Sequence, residues 1–388
     1  MTLQVWRSHH PLWLAPHRPF FLLAGLWAFL VPLVWLLPQG LAAEPVAWHR
    51  HEMLYGMGGA AVGGYLLTAL AAWTGDGPVS PQATRLVVAL WLVARLTFAT
   101  GLHAAAASAA TAGYFGVLGV FLLQRVVRAK AWRRLLLAAA PLGLGTAALA
   151  GQQAAGFIDE AAVTRLLPLL HALLISLVGG PALTAFTIHW AGREGAGHGI
   201  CNPRWTGLGA RLTLVAAIGG VLLNAPGMAG LLAMASGVLH LACVLAWRSW
   251  RALAYPALLL LHLAWLWLGI GLVLMGYSLS QQDTAAALHA LTMGAMGTMM
   301  LAIMGRAAMV RRGTRLLVSF ELAAGFGLVC LSVPIRLCVS FVEHAPMLQI
   351  AAASWMAGWA LFLWDFRRAL RGPVPRPVLS AATGRRPA

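Results

Sequence analysis

Near the start of the second long apolar run, Trp48–Gly59 (WHRHEMLYGMGG) sets His49, His51 and Glu52 within four residues. Two imidazoles and a carboxylate at that spacing can ligate a transition metal or haem iron, or relay a proton. Wound as a helix, His49 and His51 point about 200° apart. His51 is therefore expected to face neighbouring helices, with His49 at the rim. A second constellation lies in ALHALTMGAMGTMMLAIMGR, where His289, Met293, Met296, Met300 and Met304 follow at intervals of four, three, four and four. At the α-helical period that is one helical face. Thioethers beside an imidazole suit Cu(I); methionine also fills irregular gaps in a core, and both readings stand at this point. Gly294 and Gly297 leave room for a helix or a flat macrocycle to come close.

The remaining histidines sort by depth. His103 falls at the turn between the third and fourth apolar runs, and His171 lies inside the sixth, toward the same side as His49, His51 and His289. His240 and His262 lie toward the other side. The expectation is an outer cluster of up to five imidazoles and an inner group; the alternative is that each ring only hydrogen-bonds a neighbouring helix. Arg95, in the middle of the third run, is costly in lipid and needs a partner: Glu321 in the eleventh run or a haem propionate. Cys201, Cys243, Cys330 and Cys338 form neither CxxC nor CxxCH, which excludes covalently attached haem and a zinc knuckle. Any haem is then held non-covalently, as haem b. No nucleophile–base or carboxylate pair lies within an apolar run, so conventional hydrolysis has no support. The glycine-rich runs follow no strand and carry no nucleotide-binding meaning.

What must position these residues is a set of membrane helices. The 388 residues are 60% hydrophobic and only 10% charged, against about 25% charged in a soluble domain. Continuous apolar runs of spanning length exclude a transmembrane β-barrel. Twelve spans are predicted: 20–37, 52–72, 84–101, 104–124, 135–151, 163–189, 208–223, 228–247, 255–277, 284–305, 315–335 and 347–366. With both termini cytoplasmic, all 27 basic residues except Arg50, Arg95, Arg165 and Arg336 fall on the cytoplasmic side, as the positive-inside rule requires. The net charge of +17 thus marks orientation rather than nucleic-acid binding. The fold class is an all-α polytopic membrane protein. Its organisation is a cytoplasmic segment 1–19, a single transmembrane domain 20–370 and a disordered basic tail 371–388 near anionic headgroups. No cleavable signal peptide is evident, and no convincing internal repeat.

The stretches WHRHEMLYGMGGAAVGGYLLTALAAWTG, LHLAWLW and LHALTMGAMGTMMLAIMGRA, in this order, resemble the NnrS family of bacterial membrane proteins of the nitric-oxide response. The resemblance runs from about Phe20 to Phe366. It implies haem and copper as cofactors, an inner-membrane location, and nitric oxide or nitrosylated metal species as partners. The matching positions are Trp48, His49, His51, Glu52, Thr68, Trp73, His262, His289 and Arg306. Where the family shows Gly-Gly-Arg, this chain reads GGPALTAFTIH, with Pro181 at the arginine position. The haem or copper candidates are His49, His51, His103, His171, His240, His262 and His289, with Met293, Met296 and Met300 for copper and Glu52, Arg95 and Arg306 in support. The competing function is a secondary transporter, since twelve spans with both ends inside is a common transporter plan. A haem–copper reductase ranks below it, because these motifs differ from the histidine pattern of respiratory oxidases.

Overall fold

The computed structural model describes residues 10–36, 44–100, 104–150, 160–195, 197–281, 285–339, 345–375 and 378. Twelve helices account for nearly all of them. They are α1 His17–Leu30, α2 Pro45–Thr74, α3 Pro81–Ala99, α4 Ala104–Arg128, α5 Leu135–Ala150, α6 Glu160–Arg193, α7 Arg204–Leu222, α8 Pro226–Ala246, α9 Pro256–Gln281, α10 Ala286–Gly305, α11 Phe320–Cys338 and α12 Ala345–Phe366. Their ends follow local chemistry. Pro45, Pro81, Pro226 and Pro256 open helices at the position where a missing N–H costs nothing. Ser80 and Ser319 cap α3 and α11 by accepting from the amides of Ala83 and Leu322. Gly75, at φ 76°, stops α2 in the left-handed conformation that glycine adopts freely. A two-stranded hairpin, β1 Val310–Arg312 and β2 Arg315–Leu317, turns at Gly313. It occupies a segment whose arginines gave no hint of a strand.

Eleven of these helices are long and apolar enough to cross a membrane, α1 being carried on to Trp35 by a 3-10 stretch, Val31–Trp35. The other, α5, has 16 residues, about 24 Å. Contacts before and after it in the chain put its flanking residues at opposite ends of α2. Arg125 at the end of α4 bonds Asp76 just past α2 at 3.2 Å, and Arg134 before α5 stacks on Trp73. The opposite ends also meet: Arg50 near the start of α2 pairs with Glu160 at the start of α6. The chain between Arg134 and Glu160 therefore passes from one side to the other, and α5 is its described helix. The termini meet too. The guanidinium of Arg18, 1% exposed, donates to the carbonyls of Pro11, Arg371, Gly372 and Pro373. The first and last helices thus begin and end on one side, as an even number of crossings demands.

The chain divides into two compact units, one of residues 1–163, 304–316 and 359–388, the other of 164–303 and 317–358. In the first, Arg18 bonds the carbonyls of residues 371–373, and Arg311 donates to the Val378 carbonyl at 2.9 Å. The N-terminal segment is likewise built in, with Trp13, His17 and Arg18 buried.

Glycine faces set the close packing of each unit. In the first, a Cβ on Gly64 would meet Phe20 and Phe21 of α1 at under 3.0 Å, and one on Gly63 would strike the Tyr114 hydroxyl of α4. In the second, Gly230 and Gly237 of α8 face Gly276 and Gly269 of α9 so closely that a Cβ would meet the opposite carbonyl. Small residues bring membrane helices near enough for dispersion to hold them.

Candidate functional site

Both sequence motifs break the α-helical ladder at the same point. Helix α2 winds as a π-helix over Glu52–Met57, and α10 does so over Ala290–Gly297. Each wide segment begins one residue after a histidine, His51 or His289. Each histidine is followed by glycines at the same offsets: Gly56 and Gly59 after His51, Gly294 and Gly297 after His289. An aromatic ring covers every one of these glycines: Trp27 on Gly56, Phe115 on Gly59, Trp267 on Gly294 and Trp355 on Gly297. Side chains also satisfy the loosened backbone. Trp91 donates to the Gly56 carbonyl at 3.0 Å, Tyr114 to Gly59 at 2.8 Å, and Thr298 to Gly294. Donors inserted into the ladder are a usual cause of such widening, and π segments concentrate at functional sites.

Around the first segment, Glu52 is 2% exposed and accepts three bonds. Arg95 Nη1 and His51 Nδ1 each lie 3.0 Å from Oε1, and Trp27 Nε1 lies 2.5 Å from Oε2; Arg95 Nη1 also lies 3.4 Å from His51 Nδ1. Arg95 Nη2 reaches the Thr111 hydroxyl at 3.3 Å, and its guanidinium lies over Trp91. Arg95 thus pairs with Glu52 on α2, and the partner expected on α11, Glu321, is not the one the guanidinium uses. The His51 ring stacks flat on Phe98 at 3.7 Å. With Nδ1–H given to the carboxylate, Nε2 keeps its lone pair. Its nearest polar neighbour is the Thr111 hydroxyl at 3.5 Å, whose proton goes to the Ala107 carbonyl at 3.0 Å. A carboxylate behind Nδ1 with Nε2 left open is how proteins orient a metal-ligating imidazole.

The other candidates divide by the same test. His171 in α6 is 2% exposed; Nδ1–H donates to the Leu167 carbonyl at 2.9 Å, and Nε2 is buried with no hydrogen-bond partner. His240 is closed at both nitrogens. It donates Nδ1–H to the Ser236 carbonyl at 2.7 Å and accepts the Ser176 hydroxyl at Nε2, 2.8 Å. His262 is closed as well. Ser249 spends its proton on the Val244 carbonyl and so accepts His262 Nδ1–H at 2.7 Å, while Thr187 donates to Nε2 at 3.0 Å. His240 and His262 staple helices together. His49 sits at the rim as expected, taking Trp35 Nε1–H at Nδ1, 3.2 Å. His289 is half-buried at the mouth of its π segment, and His103 lies outside the described residues. Arg306 is 4% exposed.

The methionine face needs revision. The intervals in α10 define one face only at the α-helical period, and the π segment contains His289's next turn, Met293 and Met296. The wider turn advances the phase, so these are not in line with Met300 and Met304. Met293 is half-buried, whereas Met296, Met299, Met300 and Met304 are buried. Among the described residues no three His, Cys, Asp or Glu side chains gather into a metal-ligand set. What the geometry provides is single imidazole nitrogens, open and buried.

The family model described as NnrS protein matches residues 11–373 of the chain. This chain belongs to the NnrS family. A search of the curated proteins gives no match. In this NnrS protein, both π segments fall on the motifs that carried the resemblance. Sequence reasoning missed the π geometry and the residues that complete the Glu52 network: Trp27, Trp91, Phe98 and Thr111. One signal was available for part of it, since a carboxylate one residue inside an apolar run requires a cation, and Arg95 is the charge buried in the next run.

Proposed function

We propose that this protein binds haem b, with copper as a second cofactor, in a bacterial inner membrane, and acts in the response to nitric oxide and nitrosative stress. The observation that carries the reading is His171, whose Nδ1–H goes to the Leu167 carbonyl while Nε2 is buried with no hydrogen-bond partner; His51 adds a second imidazole, whose Nδ1–H goes to Glu52 and whose Nε2 has the Thr111 hydroxyl at 3.5 Å, its proton spent on Ala107. A buried acceptor left without a donor costs roughly 1–3 kcal/mol, and an axial metal bond removes that cost. The donor set fits haem, which needs one or two axial nitrogens rather than a cluster. Bound there, haem iron supplies a redox-active metal that takes a diatomic ligand such as nitric oxide.

The chain's own residues do the rest. Glu52 holds the His51 tautomer and adds electron density to the ring; Arg95 neutralises Glu52, and Trp27 fixes the second carboxylate oxygen. Phe98 holds the ring plane. Copper is assigned to His289 with Met293 and Met296, soft donors at the second π segment. An absorption spectrum of the purified protein tests the proposal. A Soret band that shifts on reduction supports it; no such band despite full haem supply leaves the secondary-transporter reading in its place.

A further inference from the structure

The second unit contains a cavity of about 590 Å3 that the haem reading does not use. Its walls come from α6 (Gly180, Pro181, Thr184, Ala185, Ile188, His189), the start of α7 (Arg204, Gly207, Arg211), and Cys243, Trp247 and Trp265. The indole N–H groups are already spent, Trp247 on Thr184 and Trp265 on the His240 carbonyl. The rings therefore offer apolar surface.

The charged lining is of one sign. Arg204 and Arg211 line the cavity, and no Asp or Glu does. Arg204 is exposed and lies over the Trp205 ring at 4.5 Å. Arg211 is half-buried about 10 Å past the start of α7, beside Gly180. It makes no hydrogen bond or ion pair among the described residues. A guanidinium held at that depth without an anion is costly, and such a residue marks a ligand path. The cavity is also open sideways: Pro181, Ala185 and Ile188 on its α6 wall are exposed, on a helix that crosses the membrane. A head group seated at Arg204 and Arg211 can keep its chains in the bilayer.

We propose that this cavity binds the phosphate group of an amphiphile, with Arg211 and Arg204 as the anion clamp and Trp247 and Trp265 against the apolar part. A planar guanidinium fork matches phosphate oxygens in pairs. The volume lies within the range of small-ligand sites, about 300–1,000 Å3.

Native mass spectrometry of the full chain in neutral detergent tests this. The probes are phosphatidylglycerol, diacylglycerol with the same chains but no phosphate, and inorganic phosphate. Phosphatidylglycerol is expected to be retained and diacylglycerol not. Arg211→Gln should weaken retention roughly tenfold or more, while Arg133→Gln, an equal charge change at an exposed site outside the cavity, should leave it unchanged. Displacement of the lipid by inorganic phosphate, dependent on Arg211, would show that free phosphate also enters; failure to displace it would assign the site to the lipid. Equal binding by Arg211→Gln and the unaltered chain, or an equal loss in Arg133→Gln, would overturn the proposal.

Discussion

Removing the Arg95 guanidinium leaves Glu52 buried beside an indole and an imidazole with no cation to balance it. Breaking one side of a buried pair costs about 3–5 kcal/mol, so Arg95→Met should lower the melting temperature and folded yield sharply. Glu52→Gln in the same chain should recover much of the loss, because a neutral amide no longer needs the cation. If the double variant is as unstable as the single one, the Glu52–Arg95 bond is not what stabilises this region. His262 invites the opposite test. With both nitrogens bonded to Ser249 and Thr187, His262→Ala should cost about 1–3 kcal/mol of stability and leave cofactor content untouched. At this scale residue types were legible but tautomers were not. Which imidazoles are open and which are closed depends on serines and threonines from other helices, and no pattern along the chain marks those partners.

The helices themselves were largely legible, since apolar length and turn chemistry set their ends within a few residues. The two π segments were not. A search for apolar period assumes α geometry, so it drew Met293, Met296, Met300 and Met304 onto one stripe that the widened turn then splits. The hairpin Val310–Leu317 was hidden for a related reason: its arginines read as a membrane-orienting loop. Within α10, Gly297 is the residue that the packing requires, because a Cβ there would press into the Trp355 ring. Gly297→Ala is expected to destabilise by about 1–3 kcal/mol and to disturb the π turn. Gly327 in α11 has nothing within 4 Å of the same added atom, so Gly327→Ala should be neutral or slightly stabilising. Thermal unfolding of the two variants in detergent separates them; equal melting temperatures would show that the indole cover on the second motif is not tight.

Across the whole molecule, the charge distribution and the contacts at helix ends agree on an even number of crossings, although one helix, α5, has only 16 residues. The division into two units was not legible, because it depends on which helices pack together rather than on any linker. A cysteine placed in the segment between Ala150 and Glu160 should be labelled from the side opposite both termini, and reporter fusions at the two ends should both read as cytoplasmic. Labelling from the same side as the termini would remove α5 from the set of crossings. The central claim, that His51 in the first unit and His171 in the second each offer haem an axial Nε2, is tested most directly by haem per protein in His51→Ala, His171→Ala and His262→Ala, each purified as a folded chain and assayed as the pyridine haemochrome. The account predicts that the first or second, or both, fall well below the unaltered protein while the third keeps its full ratio. Full haem in both His51→Ala and His171→Ala, or loss in His262→Ala alone, would contradict it.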